Sequence, residues 1–571
     1  MALKSRVIQP AISRLHPSVP FVVLALTFFV GVAIYHILLQ PYPNNWDDAW
    51  YAIHTYRWLS FIRDRDILRG LFWGYIYMLP GNFPPMVLLT SITGGLINGT
   101  LVAMRLAHVA WFVLLLCGVY GIGRKLANGW IGLASVFIVG TLDLVFYWGK
   151  TILGEPSLYA LIAVTLLMLI EWGDKLTLRR GAAIGLVVGS GFLTKQHYIA
   201  ALALPFVLWS TWLVVNYYRQ RQRGKDILLG LLSLFTIAVI VAGQWYLRHY
   251  RETLDYIMVT SRLHFHNLRD VSIGEFLVYY FSELVVEQLG WPAIILVSIG
   301  SLWAGYRLIK GFSILTSSWS AMGSALLLSS GITLTILTLV SKNVNTRFLT
   351  PALIPLGILS ALMLGDWWKQ RLVFGRILVI GILIAQFVYW WSQSFSTGLY
   401  SLLPVLPQKS FMRPVNIEPL PEAIEFLKSQ ISENDQERIL VVGGSNRFNP
   451  PLVLVLAVEA GLNWEIDSLY GLGKAGAASG LERLKEFQWA LVYEPVAERQ
   501  DLFMYFDFDA LIYQVDQELS SWLATHPENF ELVQKLESKI ANNRILIYRI
   551  LIHDQVDSRR PRQEVFPFTD Y

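Results

Sequence analysis

The sequence predicts a polytopic α-helical membrane protein with a small soluble α/β domain at its C-terminal end. Three observations carry this. Charged residues make up 15% of the 571 residues and hydrophobic ones 54%, where soluble domains carry about 25% charged. The mean hydropathy is +0.47. Apolar stretches of about 20 residues, enough to cross roughly 30 Å of hydrocarbon, recur through residues 1–395 and then stop.

Taken in order, the spans fall at 20–39, 101–122, 129–149, 157–171, 181–194, 198–216, 226–247, 288–305, 319–341, 347–365 and 372–393, about eleven helices. The first run is longer than a signal-peptide core and has no small-residue cleavage site after it, so it is expected to stay as an anchor. Lys4, Arg6 and Arg14 precede it. The later basic groups are Arg124-Lys125, Lys175 with Arg179-Arg180, Arg219 to Lys225, Arg307 with Lys310, and Lys369 with Arg371 and Arg376. All fall in short loops on one face, which the positive-inside rule makes cytoplasmic. The N-terminus is then expected in the cytoplasm of an inner (plasma) membrane protein. The loops 40–100 and 248–287 and the domain 396–571 are expected outside. A net charge of +5 thus reports orientation, and no basic-aromatic pattern of a nucleic-acid module is present. The single cysteine, Cys117, lies in an apolar run and leaves no disulfide or cysteine metal site within one chain.

Loop 40–100 is more than a linker. Trp50-Tyr51, His54, Trp58-Leu59 and Ile62 recur at helical spacing, predicting an amphipathic helix in the membrane interface. Pro80, Pro84 and Pro85 end it before a short apolar segment, Met86 to Ile97. The 21 tryptophans are first of all interfacial belts, with aromatic platforms for sugar or lipid as the second use. In the tail, strands are expected at Arg438 to Val442, Trp489 to Tyr493, Phe508 to Tyr513 and Arg544 to Ile550, with a helix from Pro451 to Ala460. Gly443-Gly444-Ser445 lacks the spacing of a dinucleotide fingerprint and is read as a structural turn.

Four separated places put polar groups at the outer membrane surface. The first is the pair Asp47-Asp48, beyond the first hydrophobic helix. The second is Glu155, before Pro156 at a helix start, where an acid also favours the macrodipole. The third is Lys195, in Phe192-Leu193-Thr194-Lys195-Gln196-His197. The helix that leads to it is too short to cross the bilayer, so its cation is expected beneath the outer surface, facing a cavity or a partner; snorkelling is the competing account. The fourth is Arg347, in Asn345-Thr346-Arg347-Phe348-Leu349-Thr350-Pro351, where a headgroup anchor is the plainer role.

Together these stretches resemble the GT-C superfamily of glycosyltransferases that use polyprenyl-phosphate sugars, the protein O-mannosyltransferases and the lipid A aminoarabinose and galacturonic acid transferases. Trp46-Asp47-Asp48-Ala49-Trp50-Tyr51-Ala52 is similar to the family's Asp-Glu-Ala-x-Tyr motif, Pro84-Pro85 to its Pro-Pro pair, and Arg105-Leu106 to its Arg-Leu. Glu155-Pro156 is similar to its acidic residue plus proline, Gly191-Phe192-Leu193-Thr194-Lys195 to its Phe-Leu-Thr-Lys, and Arg347-Phe348-Leu349-Thr350-Pro351 to its Arg-Tyr-Leu-Leu-Pro. Asp48 departs from the usual Glu, and Gln196 from a frequent Gly. The motifs occur in the family's order along most of the membrane region.

The resemblance implies a catalytic region 1–395 and an inverting transfer of one sugar from a polyprenyl-phosphate donor to a lipid, glycan or protein acceptor. Expulsion of a phosphate monoester needs one general base on the acceptor hydroxyl and no second carboxylate of the glycosidase kind. Asp47 takes that role by its motif position. Lys195 and Arg347 would neutralise the departing phosphate, and His54, His197 and Phe348 are further candidate substrate contacts. Glu155 would orient the acceptor or complete a divalent-metal site with Asp47 and Asp48; no cofactor is required, and metal ranks second. Two rivals stand beside this. One is a ligase taking a whole glycan from a polyprenyl diphosphate, with Arg248, His249, Arg251, Arg262, His264, His266 and Arg269 of loop 248–287 on the diphosphate. The other is a lipid or glycan transporter, which would rather show charges near the bilayer midplane on broken helices.

Overall fold

The structure is a computed structural model that describes residues 16–43, 46–63, 85–173, 176–195, 197–220, 224–254, 272–279, 281, 289–311, 319–340, 346–369, 373–395, 419–431, 437–442, 450–462, 464–467, 484, 486–495, 521–523, 525–537 and 543–551. The helices of the membrane part are α1 (Val19–Leu39), α2 (Trp46–Arg63), α3 (Pro85–Asn98), α4 (Leu101–Leu126), α5 (Gly129–Gly140), α6 (Asp143–Trp148), α7 (Gly154–Trp172), α8 (Leu178–Phe192) and α9 (His197–Gln220). Then come α10 (Gly224–Ala238, continued through a π turn at Val239–Gly243 towards Leu254), α11 (Ile273–Tyr279), α12 (Trp291–Gly311), α13 (Trp319–Val340), α14 (Thr350–Lys369) and α15 (Val373–Phe395).

Among the described residues nine helices are long and apolar enough to cross a membrane: α1, α4, α7, α9, α10, α12, α13, α14 and α15. The other two expected spans are shorter elements. Residues 129–149 form α5 and α6, separated at Thr141-Leu142 where Thr141 folds its hydroxyl back onto the Phe137 carbonyl at 2.8 Å. Residues 181–192 lie in the 15-residue α8, and 193–194 in the turn after it. The outer helices turn apolar side chains outward, as Leu24 on α1, Leu228, Leu232 and Phe235 on α10, and Phe374 and Ile377 on α15 show. By contrast α7 and α14 are buried nearly all round and form the centre of the bundle.

Small residues decide how α8 sits. A methyl group at Gly181 or Gly185 would run into the α10 backbone at Gly230 or Leu234, and one at Gly189 into Val241 and the Ala238 carbonyl. This stripe of three glycines, four residues apart, lets two backbones touch, the usual way helices associate where lipid leaves no hydrophobic drive between them. Helix α8 is thereby fixed against α10, and its C-terminal end carries Thr194 and Lys195 into the bundle.

The C-terminal part holds α16 (Leu420–Gln430), α17 (Pro450–Glu459) and strands β1 (Arg438–Val442), β2 (Glu465–Asp467), β3 (Trp489–Pro495), β4 (Phe530–Glu537) and β5 (Asn543–Ile550). The sheet order is β2-β1-β3-β5-β4. Strand β1 runs parallel to both neighbours, with Val441 opposite Leu491, and β5 runs antiparallel to β3 and β4, with Leu491 opposite Ile547. The expected α/β unit is therefore present as a mixed sheet. Strands β2 and β4 and helix α16 come in addition; Phe508 to Tyr513 and Gly443 to Ser445 lie outside the described residues.

Helix α2 does not lie free in the interface, as its amphipathic spacing suggested. Its apolar face, Ala49, Ala52, Ile53, Trp58, Leu59 and Ile62, is buried in one core with α3 and with Leu420, Ala423, Ile424, Leu452 and Val453 of α16 and α17. Glu459 at the end of α17 fastens this contact: its Oε1 accepts from the Tyr56 hydroxyl at 2.9 Å and from the backbone N–H of Leu101, the first residue of α4, at 3.0 Å. Hydrogen bonds to a charged acceptor contribute about 1.5–3 kcal/mol. Glu459→Ala should therefore lower the unfolding temperature of the detergent-solubilised protein clearly, and Tyr56→Phe less. Equal and negligible shifts would show that the apolar contact alone holds α2.

Candidate active site

Four segments far apart in sequence bring four charged side chains into one row. Asp47 sits in the first turn of α2, where a carboxylate complements the helix dipole. Glu155 is the second residue of α7. Lys195 follows the end of α8, and Arg347 lies in a 3₁₀ turn, Thr346–Phe348, just before α14. Arg347 donates from Nη1 to Asp47 Oδ2 at 2.5 Å and holds Nε 4.0 Å from Glu155 Oε1, which in turn pairs with Lys195 Nζ. The order is Asp47, Arg347, Glu155, Lys195. Glu155 is 1% exposed, whereas the Asp47 side chain is 44% exposed and remains reachable.

One aromatic ring floors the row. The Phe348 centroid is 5.4 Å from Lys195 Nζ and 5.1 Å from Arg347 Cζ, and His197 stacks on the same ring at 4.6 Å. These cation–π contacts hold both cations without using their hydrogen-bond donors. His197 and Phe348 therefore belong to the site. His54 lies on the same face of α2 two turns beyond Asp47, roughly 10 Å along the axis, with its ring against Trp50 at 5.0 Å. Burial, helped by Arg57, pushes its pKa down to about 4, so at neutral pH it is an uncharged ring.

The backbone is held where these side chains leave it. Arg105, 1% exposed on α4, donates to the carbonyls of Gln40 and of Tyr42 (2.8 Å) and so fixes the segment between α1 and Asp47. Tyr246 donates to the Phe192 carbonyl at 2.7 Å, and the Thr194 hydroxyl to that of Gly191 at 2.6 Å, which shape the turn before Lys195.

Opposing influences act on Asp47. Burial pushes its pKa up, but the charge and hydrogen bond of Arg347, with the Lys195 charge behind them, outweigh burial and hold the carboxyl below its usual value. It is a carboxylate across the physiological range.

Asp48 does not join the row. It is fully buried and acts instead on Arg105 and Tyr147. Among the described residues no three His, Cys, Asp or Glu side chains stand together as a metal site. Asp47 and Glu155 are spread along Arg347, a cation occupying the place between them, and Asp48 serves another cluster. The three acids do not fit the metal site weighed for them. Of loop 248–287, Arg248, His249 and Arg251 are described: the His249 ring lies tilted against Trp245 at 4.2 Å and meets Glu252 at 3.1 Å, and Arg251 donates to the Tyr250 hydroxyl at 2.8 Å, while Arg262, His264, His266 and Arg269 lie outside the described residues.

Two further neighbours stand by the row. Tyr51, quoted in the motif but given no role there, lies one turn after Asp47 within electrostatic reach of Arg347, and the buried Tyr159, which sequence reasoning missed, lies one turn after Glu155 within reach of that carboxylate. A helical wheel started at Glu155 would have flagged Tyr159.

Residues 82–245 match the protein family described as dolichyl-phosphate-mannose-protein mannosyltransferase. Two solved structures share the fold over almost the whole chain. ArnT from Cupriavidus metallidurans bound to undecaprenyl phosphate aligns with a TM-score of 0.55 at 12% identity, covering 94% of this chain and 99% of that one. The same protein in the apo state aligns at 0.51 and 13%, covering 93% and 98%. At such identities the likeness establishes fold. No curated protein matches in sequence.

Proposed function

We propose that this chain is a GT-C glycosyltransferase using lipid-linked sugars, an inverting transferase acting on a polyprenyl-phosphate sugar at the extracytoplasmic face of the membrane. The observation that carries the reading is the row Asp47, Arg347, Glu155, Lys195. It places one reachable carboxylate beside two cations that share a buried counter-ion. The family match and the undecaprenyl phosphate in the ArnT complex support the donor class.

In this mechanism the acceptor hydroxyl gives its proton to Asp47 while its oxygen attacks the anomeric carbon. The bond from that carbon to the phosphate oxygen breaks, the electron pair leaves with the polyprenyl phosphate, and the configuration inverts. Lys195 and Arg347 meet the charge that grows on the leaving phosphate. The donor and the base are coupled through Arg347. Without donor, Arg347 holds the Asp47 carboxyl down and makes it a poor base. A phosphate that draws Arg347 towards itself lifts that restraint, so Asp47 gains basicity when donor is bound. Glu155 keeps the two cations in place, and His197, Phe348 and Tyr51 line the same ground. The domain 396–571, seated on α2, is read as extracytoplasmic, where it borders the acceptor's approach. Lipids, glycans and proteins remain the acceptor classes.

The test is transfer by the purified full chain in nanodiscs, offered a panel of sugars on polyprenyl monophosphate and on polyprenyl diphosphate. Transfer from the monophosphate alone, with the product anomer opposite to the donor's, is the expected result. Retained configuration would overturn the single-displacement mechanism, transfer from the diphosphate alone would move the protein to the glycan ligases, and none from either would favour transport.

A further inference from the structure

A second polar cluster gathers around Asp48 rather than Asp47, and the mechanism above leaves it unused. It is built by His36 in the last turn of α1, Arg105 on α4, Phe146 and Tyr147 on α6, Lys150 just beyond α6, and Asp48. Lys150 is 4% exposed and His36 7%. Lys150 Nζ lies 4.7 Å from the Phe146 centroid and 5.8 Å from that of Tyr147, and the His36 ring meets Phe146 edge-on at 5.8 Å.

Two groups here lack what burial normally demands. Lys150 makes neither hydrogen bond nor ion pair among the described residues and lies against the two rings. Buried His36 Nε2 has no hydrogen-bond partner among them either. The nearby carboxylate, Asp48, already offsets Arg105. Burial first, and the Arg105 charge second, push the Lys150 ammonium down to about 7, with no acid acting the other way. Charging a buried amine without a counter-ion is costly, and an ionisable residue so placed in a membrane protein points to a functional site that a charged ligand would complete. The flanking side chains indicate which kind: Tyr35, Leu38 and Leu39, beside His36 on α1, are 48%, 61% and 56% exposed on the apolar outer surface. His36 is within one helix turn of these exposed residues.

We propose that Lys150 and His36 form a second phosphate site, separate from the one at Lys195, for a phosphate monoester carried on a lipid. The ammonium supplies the charge and His36 Nε2–H a donor, while the exposed end of α1 accepts the chain. This rests on the glycosyltransferase reading, which supplies the lipid phosphates that such a site would hold. The lipid is either the polyprenyl phosphate carrier, held after the sugar has left, or an acceptor lipid that bears a phosphate of its own.

Native mass spectrometry of the full chain counts bound lipids, with farnesyl phosphate as the carrier probe and dioleoyl phosphatidate as the acceptor probe. In the carrier case the wild type binds two farnesyl phosphates, Lys150→Met and Lys195→Met bind one each, and the double variant binds none. In the acceptor case phosphatidate binds once, insensitive to Lys195→Met and weakened about tenfold or more by Lys150→Met, the scale expected for a lost charge-assisted contact. His36→Phe should weaken the same event, and Lys150→Arg should restore it, which separates loss of charge from misfolding. Unchanged stoichiometry and affinity for both probes in Lys150→Met would overturn the proposal. Unchanged farnesyl phosphate binding in Lys195→Met, with a loss in Lys150→Met, would instead count against the placement of the donor phosphate at Lys195.

Discussion

Replacing Asp47 with asparagine should leave a folded protein that binds donor and hardly transfers sugar. A general base in the right place contributes about 10²–10⁴-fold, and the amide keeps the side chain's shape while removing its capacity to take a proton. The structure adds a signature that a purely structural Asp47 would not produce. Arg347 loses its 2.5 Å carboxylate partner and becomes more available to the donor phosphate. Turnover should fall while donor affinity holds or rises. Because the Asp47 side chain is 44% exposed, its ion pair contributes little to stability once solvent screening is counted, and the unfolding temperature should stay near wild type. A rate above about a tenth of wild type would remove Asp47 from the base position.

Asp48→Asn provides the contrast. Asp48 is fully buried and answers to buried Arg105, and removing one partner of a buried charge pair typically costs about 3–5 kcal/mol. Its effect should appear as lost thermal stability more than as lost chemistry per folded molecule. Adjacent acids in one motif thus have different tasks. Successive helix positions are about 100° apart, so Asp47 and Asp48 face different neighbours.

The same geometry shows what was legible in the sequence. Hydropathy located the helices of the bundle because lipid imposes a length and a composition on each span. It joined α5 to α6, since a turn closed by the Thr141 hydroxyl is apolar enough to look continuous. It also misjudged α2: an apolar stripe reports that a face is covered, not by what, and here the cover is α3 together with α16 and α17. In the tail, β4 was missed because its sequence, Phe-Glu-Leu-Val-Gln-Lys-Leu-Glu, alternates poorly and carries a bulge between Leu532 and Gln534. Motif order identified Asp47, Glu155, Lys195 and Arg347 individually, and the fold brings all four together. Their pairing was not legible. Which acid meets which base depends on the angles at which four helix ends converge, and no local pattern encodes that. For the same reason the trio Asp47, Asp48 and Glu155 looked like metal ligands in sequence and are not gathered in space.

Pairing also changes what the Lys195→Met variant should do. Judged as a lone cation beneath the membrane surface, Lys195 would be a burden whose removal leaves the fold as stable or more so. In the structure it is the close partner of Glu155, which is 1% exposed and otherwise has Arg347 at 4.0 Å. Lys195→Met therefore strands a buried carboxylate and should destabilise the protein on the scale of about 3–5 kcal/mol. Glu155→Gln in the same chain removes the stranded charge, so the double variant should recover much of the lost thermal stability. It should not recover transfer or donor binding, because the charge that meets the leaving phosphate is still missing. Lys195→Arg keeps the charge and should return part of the activity, limited by a bulkier head beside Phe348. Stability restored together with activity in the double variant would mean that Lys195 serves only to hold Glu155, and the phosphate would then have to be met by Arg347 without it.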